Sequence, residues 1–250
     1  MNTMKLLLIN PNISDKVSDL IRAEAQRTAS PGTEIEVLTA PFGVAYIETR
    51  FEALIGAYAA AQLAAEHHAR FDAVVVAAFG DPGLAGLREA LPCPVTGLSE
   101  AAMASACLLG QRFSIVAISQ RIRAWYRETV EHAGLVSRLA SIRGLDETLA
   151  DIGSVQADQG ERLVVLAERC VAEDGADVII LAGAPLAGLA RSLKGRLPVP
   201  VVDGVSSAVR HAESLAALQP GQARVGSFAP PPLKPNRGLP EGIARLLDRR

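Results

Sequence analysis

Apolar positions along the chain fall into two recurring patterns, short runs of leucine and β-branched residues and longer stretches with helical spacing, and the two alternate. Lys5–Asn10 (KLLLIN) predicts a short buried strand, stopped by the turn residues of Asn10-Pro11-Asn12. An amphipathic helix is predicted from Ser14 to about Arg27. Glu34–Thr39 (EIEVLT) alternates as a strand does, and Pro41-Phe42-Gly43 breaks it. A long alanine-rich helix is predicted over Phe51–Arg70, leading into the strand Ala73–Phe79. This β-α-β-α-β order with short loops predicts an α/β fold with a parallel sheet flanked by helices.

The pattern then repeats. LPCPVTGLSEAA begins at 91, and LPVPVVDGVSSAV begins at 197. Upstream of each, a strand turns into a helix containing Leu-Ala-Gly-Leu, VVVAAFGDPGLAGLR in one copy and DVIILAGAPLAGLAR in the other. The spacing is far longer than a solenoid period, so it reads as duplication of a whole α/β unit. Between the repeats, strands are predicted at Phe113–Ile118 and Ser141–Leu145, and helices at Ile122–Ala133 and Val155–Asp174. Two pseudo-symmetric α/β domains with a ligand cleft between them are therefore expected. The first comprises residues 1–98 plus 205–250, the second 99–204. The Pro-rich tail beyond Ser227 is expected to be an extended surface segment, with a last helix at Glu241–Arg250.

Composition narrows the function classes. A chain of 250 residues with 49% hydrophobic and 21% charged content can bury a substantial core. A net charge of −2, with both signs interspersed, leaves no basic footprint for nucleic acid or an anionic membrane. The N-terminal apolar run is too short for a signal peptide or membrane span, so a cytoplasmic location is expected. Cys93, Cys107 and Cys170 lack metal-ligand spacing and read as small buried hydrophobes rather than catalytic groups. His67 and His68 read as an exposed helix face, and His132 and His211 lie within helical patterns. No nucleotide-binding glycine fingerprint is present.

The remaining chemistry gathers at predicted strand ends. In Gly80-Asp81-Pro82-Gly83, Asp81 suits a helix N-cap and Pro82 the first helical position. Unpaired N–H groups there favour an anion, although a capping role for Asp81 is the commoner one. Gly183-Ala184-Pro185 repeats the arrangement, so two helix N-termini are expected to face each other across the cleft. Asn10 and Asn12 follow a strand end where ligands collect in parallel sheets, and read equally well as a turn. Tyr46, Ile47 and Glu48 follow the second strand and are placed at the same crevice, as are Phe79 and Gly80. Arg121 and Arg123 are candidate partners for a ligand carboxylate.

The segments LLLINPNIS, GVAYIET, AAFGDPGLAGLREALPCPVTGLSEAAMASA, RIRAWYRETVEHAGLVSRLASIR, EDGADVIILAGAPLAGLA and VPVVDGVSSAVRHAE cover nearly the whole chain in order. Together they resemble the aspartate/glutamate/hydantoin racemase superfamily, and within it the hydantoin and allantoin racemases. The resemblance implies an active site in the interdomain cleft, no cofactor, no metal and a homo-oligomer. It also implies one cysteine per half, one thiolate taking the Cα proton and the other thiol returning one to the opposite face. Those positions are Ala78 and Gly183 here, and neither can move a proton. Val44 and Tyr46 also depart from the resemblance, standing where Pro and Ser are usual. The expected protein binds a small carboxylate, hydantoin or ureide, with two-cysteine proton transfer absent or severely reduced. The alternatives are a non-catalytic metabolite sensor, and a lyase or decarboxylase with a different acid or base drawn from Asp81, Tyr46, Glu48 or a ligand-held water.

Overall fold

The structure is a computed structural model and describes residues 3–146 and 151–248. Its first half runs β1 (Lys5–Asn10), α1 (Asp15–Thr28), β2 (Glu34–Thr39), α2 (Arg50–His67), β3 (Ala73–Val76), α3 (Leu84–Ala90), β4 (Val95–Gly97) and α4 (Leu98–Leu109). The second runs β5 (Phe113–Ala117), α5 (Arg123–His132), β6 (Leu139–Gly144), α6 (Val155–Asp174), β7 (Val178–Ala182), α7 (Leu189–Ser192), β8 (Val201–Asp203) and α8 (Gly204–Leu218), with α9 (Glu241–Asp248) last. Residues 219–240 carry no helix or strand.

All strand pairs are parallel, in two sheets ordered β2-β1-β3-β4 and β6-β5-β7-β8. The two orders are identical when the halves are superposed by chain order, as duplication of one unit requires. Near-continuous apolar strands are explained by burial on both faces. Leu6, Leu8 and Val75 of the first sheet, with Ile115 and Ile180 of the second, join one central core. Leu7, Ile9, Val74 and Val76 pack outward against α2 and α3, while Val116, Ile179 and Leu181 pack outward against α6. Helices α4 and α8 cross between halves. Helix α4 leaves β4 and packs on β7 and β8, whereas α8 leaves β8 and packs on β3 and β4, and the two pack on each other.

Local chemistry explains the boundaries. Ser14 caps α1 by accepting from the Val17 N–H. Thr49 and Glu52 form a reciprocal capping box at α2. The strand predicted to Phe79 ends at Val76, because β4 pairs with β3 only as far as Val76 and Gly97. Ala77 still donates to the Ile9 carbonyl at 2.8 Å, and the chain then leaves the sheet. The long helix tightens into a 3-10 turn at His68–Arg70. Among the described residues no helix is long and apolar enough to cross a membrane.

Candidate ligand cleft

In each sheet the strand order reverses direction beside the first strand, between β1 and β3 and between β5 and β7. Crevices form at such switch points, outside the carboxyl ends of the strands. Asn10 ends β1 fully buried, and its amide is already committed. Its Nδ2 donates to Asn12 Oδ1 (3.1 Å), Ser18 Oγ (3.0 Å) and the Ser14 carbonyl (3.2 Å), while its Oδ1 accepts from the Asn12 N–H. Asn12 Oδ1 in turn accepts from the Ser14 N–H at 2.9 Å. Both side chains therefore build the turn that launches α1.

Asp81 corrects the sequence expectation. It does not cap the helix that follows it, and Pro82 does not open that helix: α3 starts at Leu84, with Gly83 in the N-cap position and no side-chain cap. The Asp81 carboxylate instead accepts from the Ser99 and Glu100 N–H groups, both at 2.9 Å, and so caps α4. The repeat explains why. In the second copy Asp203 is itself the N-cap of α8, accepting from the Ser206 N–H at 2.9 Å. The matching residue before α4 is Gly97, and a Cβ there would fall 2.3 Å from the Asp81 carboxyl carbon. Asp81 holds this position with φ of 49°, a left-handed conformation that costs a non-glycine residue energy. Burial pushes its pKa up to about 7, against the opposing pull of its bonds to Ser99 and Glu100.

The Phe79-Gly80-Asp81 loop is covered from the other half. Phe79 packs on Tyr126 with ring centroids 4.7 Å apart. At Gly80, with φ of 98°, a Cβ would lie 2.3 Å from the Trp125 ring, so only glycine admits this close approach. Tyr46, from the loop after β2, packs against the central core and also against the outer core of the second sheet. Its hydroxyl oxygen is buried and has no hydrogen-bond partner among the described residues. Burial, with the nearby Glu48 and Glu52 charges adding to it, raises the phenol well above its ordinary pKa. Glu48 accepts a hydrogen bond from the Ser119 hydroxyl, which joins the β2 loop to the end of β5. Ile47 serves packing instead: it is buried, and its Cδ1 fills the space beside Gly56 of α2.

Ala78 is buried, presenting only a methyl group. Gly183 has φ of 116° and ψ of 141°, a region that side-chain-bearing residues avoid. Ala184 and Pro185 are buried in a 3-10 turn, Ala184–Leu186, whose Pro185 and Ala187 carbonyls accept from Gln156 Nε2. Helix α7 begins only at Leu189 and has four residues. The expected pair of facing helix N-termini is thus replaced by loops, because the Gly-rich turns delay both helices. Arg121 and Arg123 are exposed and line a surface depression with Arg127. Cys93 and Cys107 are half-buried and Cys170 is buried; burial pushes the Cys93 thiol up to about 11. No group of three or more His, Cys, Asp or Glu among the described residues is placed to hold a metal.

Ser119, Trp125 and Tyr126 escaped the sequence reading, since nothing in their local pattern ties them to loops far away in the chain. The one available signal was Trp125 itself, the single tryptophan of a chain with 4% aromatic residues.

The chain matches the family model described as Asp/Glu/Hydantoin racemase over residues 6–212. It is 36% identical to a hydantoin racemase of Paenarthrobacter aurescens over 91% of this chain and 98% of that one. It is 30% identical to a hydantoin racemase of Pseudomonas sp. (strain NS671), over 97% and 98% of the respective chains. An allantoin racemase structure from Klebsiella pneumoniae superposes with a TM-score of 0.91 at 34% identity, covering 96% of this chain and 98% of that chain.

Proposed function

This chain belongs to the Asp/Glu/hydantoin racemase family, and on that premise we propose that it binds a small hydantoin, ureide or carboxylate in the crevice between its two sheets without two-cysteine racemisation. The observation that carries the proposal is the chemistry of two strand ends. A methyl group at Ala78 and a hydrogen at Gly183 stand where the resemblance implies two thiols. Loss of a general acid or base commonly costs roughly 10²–10⁴-fold, and here both positions are empty of one. The ligand class follows from the hydantoin and allantoin racemase relatives. The domain division that accompanies this reading assigns residues 1–98 and 205–250 to one unit and 99–204 to the other.

The groups left to meet a ligand are the unpaired Tyr46 hydroxyl, the Glu48 carboxylate with its Ser119 partner, and the backbone of the Phe79–Gly80 and Gly183–Ala184 turns. They can hold and orient a polar ligand. Tyr46 is a hydrogen-bond donor and a poor base, because its phenol is held protonated. A binding protein that keeps the family's cleft is therefore favoured over a decarboxylase or lyase.

Proton NMR in D₂O tests this with allantoin, several 5-substituted hydantoins, aspartate and glutamate. Line-broadening by one compound, with its Cα–H signal persisting at the enzyme-free rate, is the expected result. Wash-out of a Cα–H signal at an enzymatic rate would sink the proposal, since it demands a working base. Absence of binding by every compound would sink the ligand class.

A further inference from the structure

Outside the cleft, at the start of α5, a depression of about 400 Å³ is lined by Gln120, Arg121, Arg123, Ala124, Arg127 and Ile142. Three of the six side chains are guanidinium groups, and none of the six is acidic. Arginines on other elements, among them Arg50, Arg88, Arg143 and Arg196, each hold a carboxylate. These three do not. Arg123 Nη1 donates to the neutral amide oxygen of Gln120 at 2.8 Å. The acid whose charge interacts with Arg121 is Glu52, whose Oε2 already accepts from the Glu48 and Thr49 N–H groups. The Arg127 side chain, exposed on α5, makes no hydrogen bond or ion pair with another described residue.

Positive charge is concentrated here twice over, with the Asp146 carboxylate one amide away on Gln120. Arg123 and Arg127 are like charges one turn apart on a helix, which is unfavourable by itself. They stand on a helix whose first turn carries no acidic residue and whose N-cap, Ile122, has no side-chain bond, so the dipole's positive end adds to the same field. The platform is nevertheless fixed. Gln120 Nε2 donates to the Gly144 carbonyl (2.8 Å) and to Asp146 Oδ1 (2.7 Å), which turns its amide oxygen toward Arg123.

We propose that this depression binds the phosphoryl group of a small phosphorylated molecule, at a site separate from the family's cleft. One guanidinium suffices to clamp the two oxygens of a carboxylate, whereas three around one hollow match a tetrahedral, multiply charged oxyanion. The hollow also exceeds the size of one phosphate, leaving room for the group that carries it. The site touches the cleft wall through Arg121, whose backbone N–H donates to Ser119 Oγ at 3.2 Å, and Ser119 holds Glu48.

Inorganic pyrophosphate is the probe, titrated into the full-length protein at constant ionic strength by calorimetry and by Trp125 fluorescence. Saturable binding at a single site is expected, weakened at least about tenfold in Arg123→Gln/Arg127→Gln. Arg169→Gln, which alters an exposed arginine paired with Glu173 on α6, is expected to bind as the unaltered protein does. Citrate, a polycarboxylate, is the comparison ligand. No saturable binding, or equal binding by the double variant, overturns the site. Citrate binding as tightly as pyrophosphate overturns the phosphoryl assignment. None of these outcomes depends on what occupies the cleft.

Discussion

Tyr46→Phe removes one oxygen and nothing else, and the Tyr46 oxygen is buried without a partner. A buried hydroxyl left unsatisfied costs about 1–3 kcal/mol of lost hydration. The phenyl ring keeps its contacts with both apolar layers. The substitution is therefore expected to stabilise the ligand-free protein by about 1 kcal/mol, the low end of that range. For a chain of this length that is a rise of about 2–4 °C in Tm. Calorimetric or circular-dichroism melting at pH 7 reads it directly, and the phenol stays neutral there because burial raises its pKa. Tyr46→Ala is the control for packing and is expected to destabilise by about 3 kcal/mol, as large-to-small changes do. The stabilised Phe variant is also expected to bind a cleft ligand about tenfold more weakly, for one lost hydrogen bond of about 1.4 kcal/mol. If Tyr46→Phe instead lowers Tm by several degrees, the hydroxyl has a partner in solution, and the inference of an unsatisfied donor fails.

Three further perturbations follow from the same geometry. Ala78→Cys is expected to fold normally, whereas Gly183→Cys must place a side chain at φ of 116° and should lose about 1–3 kcal/mol in chemical denaturation, even though its Cβ would meet only Pro185 Cδ at 3.5 Å. Racemisation of a hydantoin by the folded double variant would show a cleft intact but disarmed; its absence would show a remodelled pocket. Asp81, with a folded-state pKa near 7 above its unfolded value near 3.8, keeps its proton in the folded state between those limits. Its contribution to stability is therefore largest at low pH and is lost as pH rises through about 7. Trp125 fluorescence, read next to the Gly80 loop, should titrate near pH 7 and lose that step in Asp81→Asn; a step that survives in the variant refutes the assignment. Glu24, 2% exposed, takes Arg191 at 2.5 Å and Arg27 at 3.0 Å and bonds Thr28 and Ser206, tying α1 to α7 and α8. Glu24→Ala should cost about 1–3 kcal/mol, because the buried Thr28 hydroxyl loses its carboxylate acceptor while Arg27 and Arg191, both about half exposed, recover water, and a loss under about 0.5 kcal/mol in urea unfolding would contradict that.

Much of the architecture was legible in the chain. The strands at Lys5–Asn10 and Glu34–Thr39 and the helix at Val155–Asp174 occur at the residues that periodicity indicates. The paired motifs at 91 and 197 correspond to β4–α4 and β8–α8 of two sheets with one strand order. That Ala78 and Gly183 carry no group able to move a proton is likewise a property of the sequence. These features rest on interactions within a turn or a strand, or on side-chain identity, and each is written in consecutive residues.

Tertiary structure decided the rest. Asp81 looked like the cap of the next helix, yet its carboxylate reaches Ser99 and Glu100, 18 and 19 residues away, because Gly97 left space where its counterpart Asp203 caps in place. Glu48 meets Ser119 across 71 residues, and Trp125 lies on Gly80 from the opposite half. Arg121 and Arg123 line one depression with Arg127, a grouping that needs the start of α5 to be folded. Periodicity in a sequence encodes which face of an element is apolar, since burial acts on every turn alike. Which side chains then meet at strand ends depends on how two sheets and their crossing helices pack, and that information is spread over contacts distant in the chain.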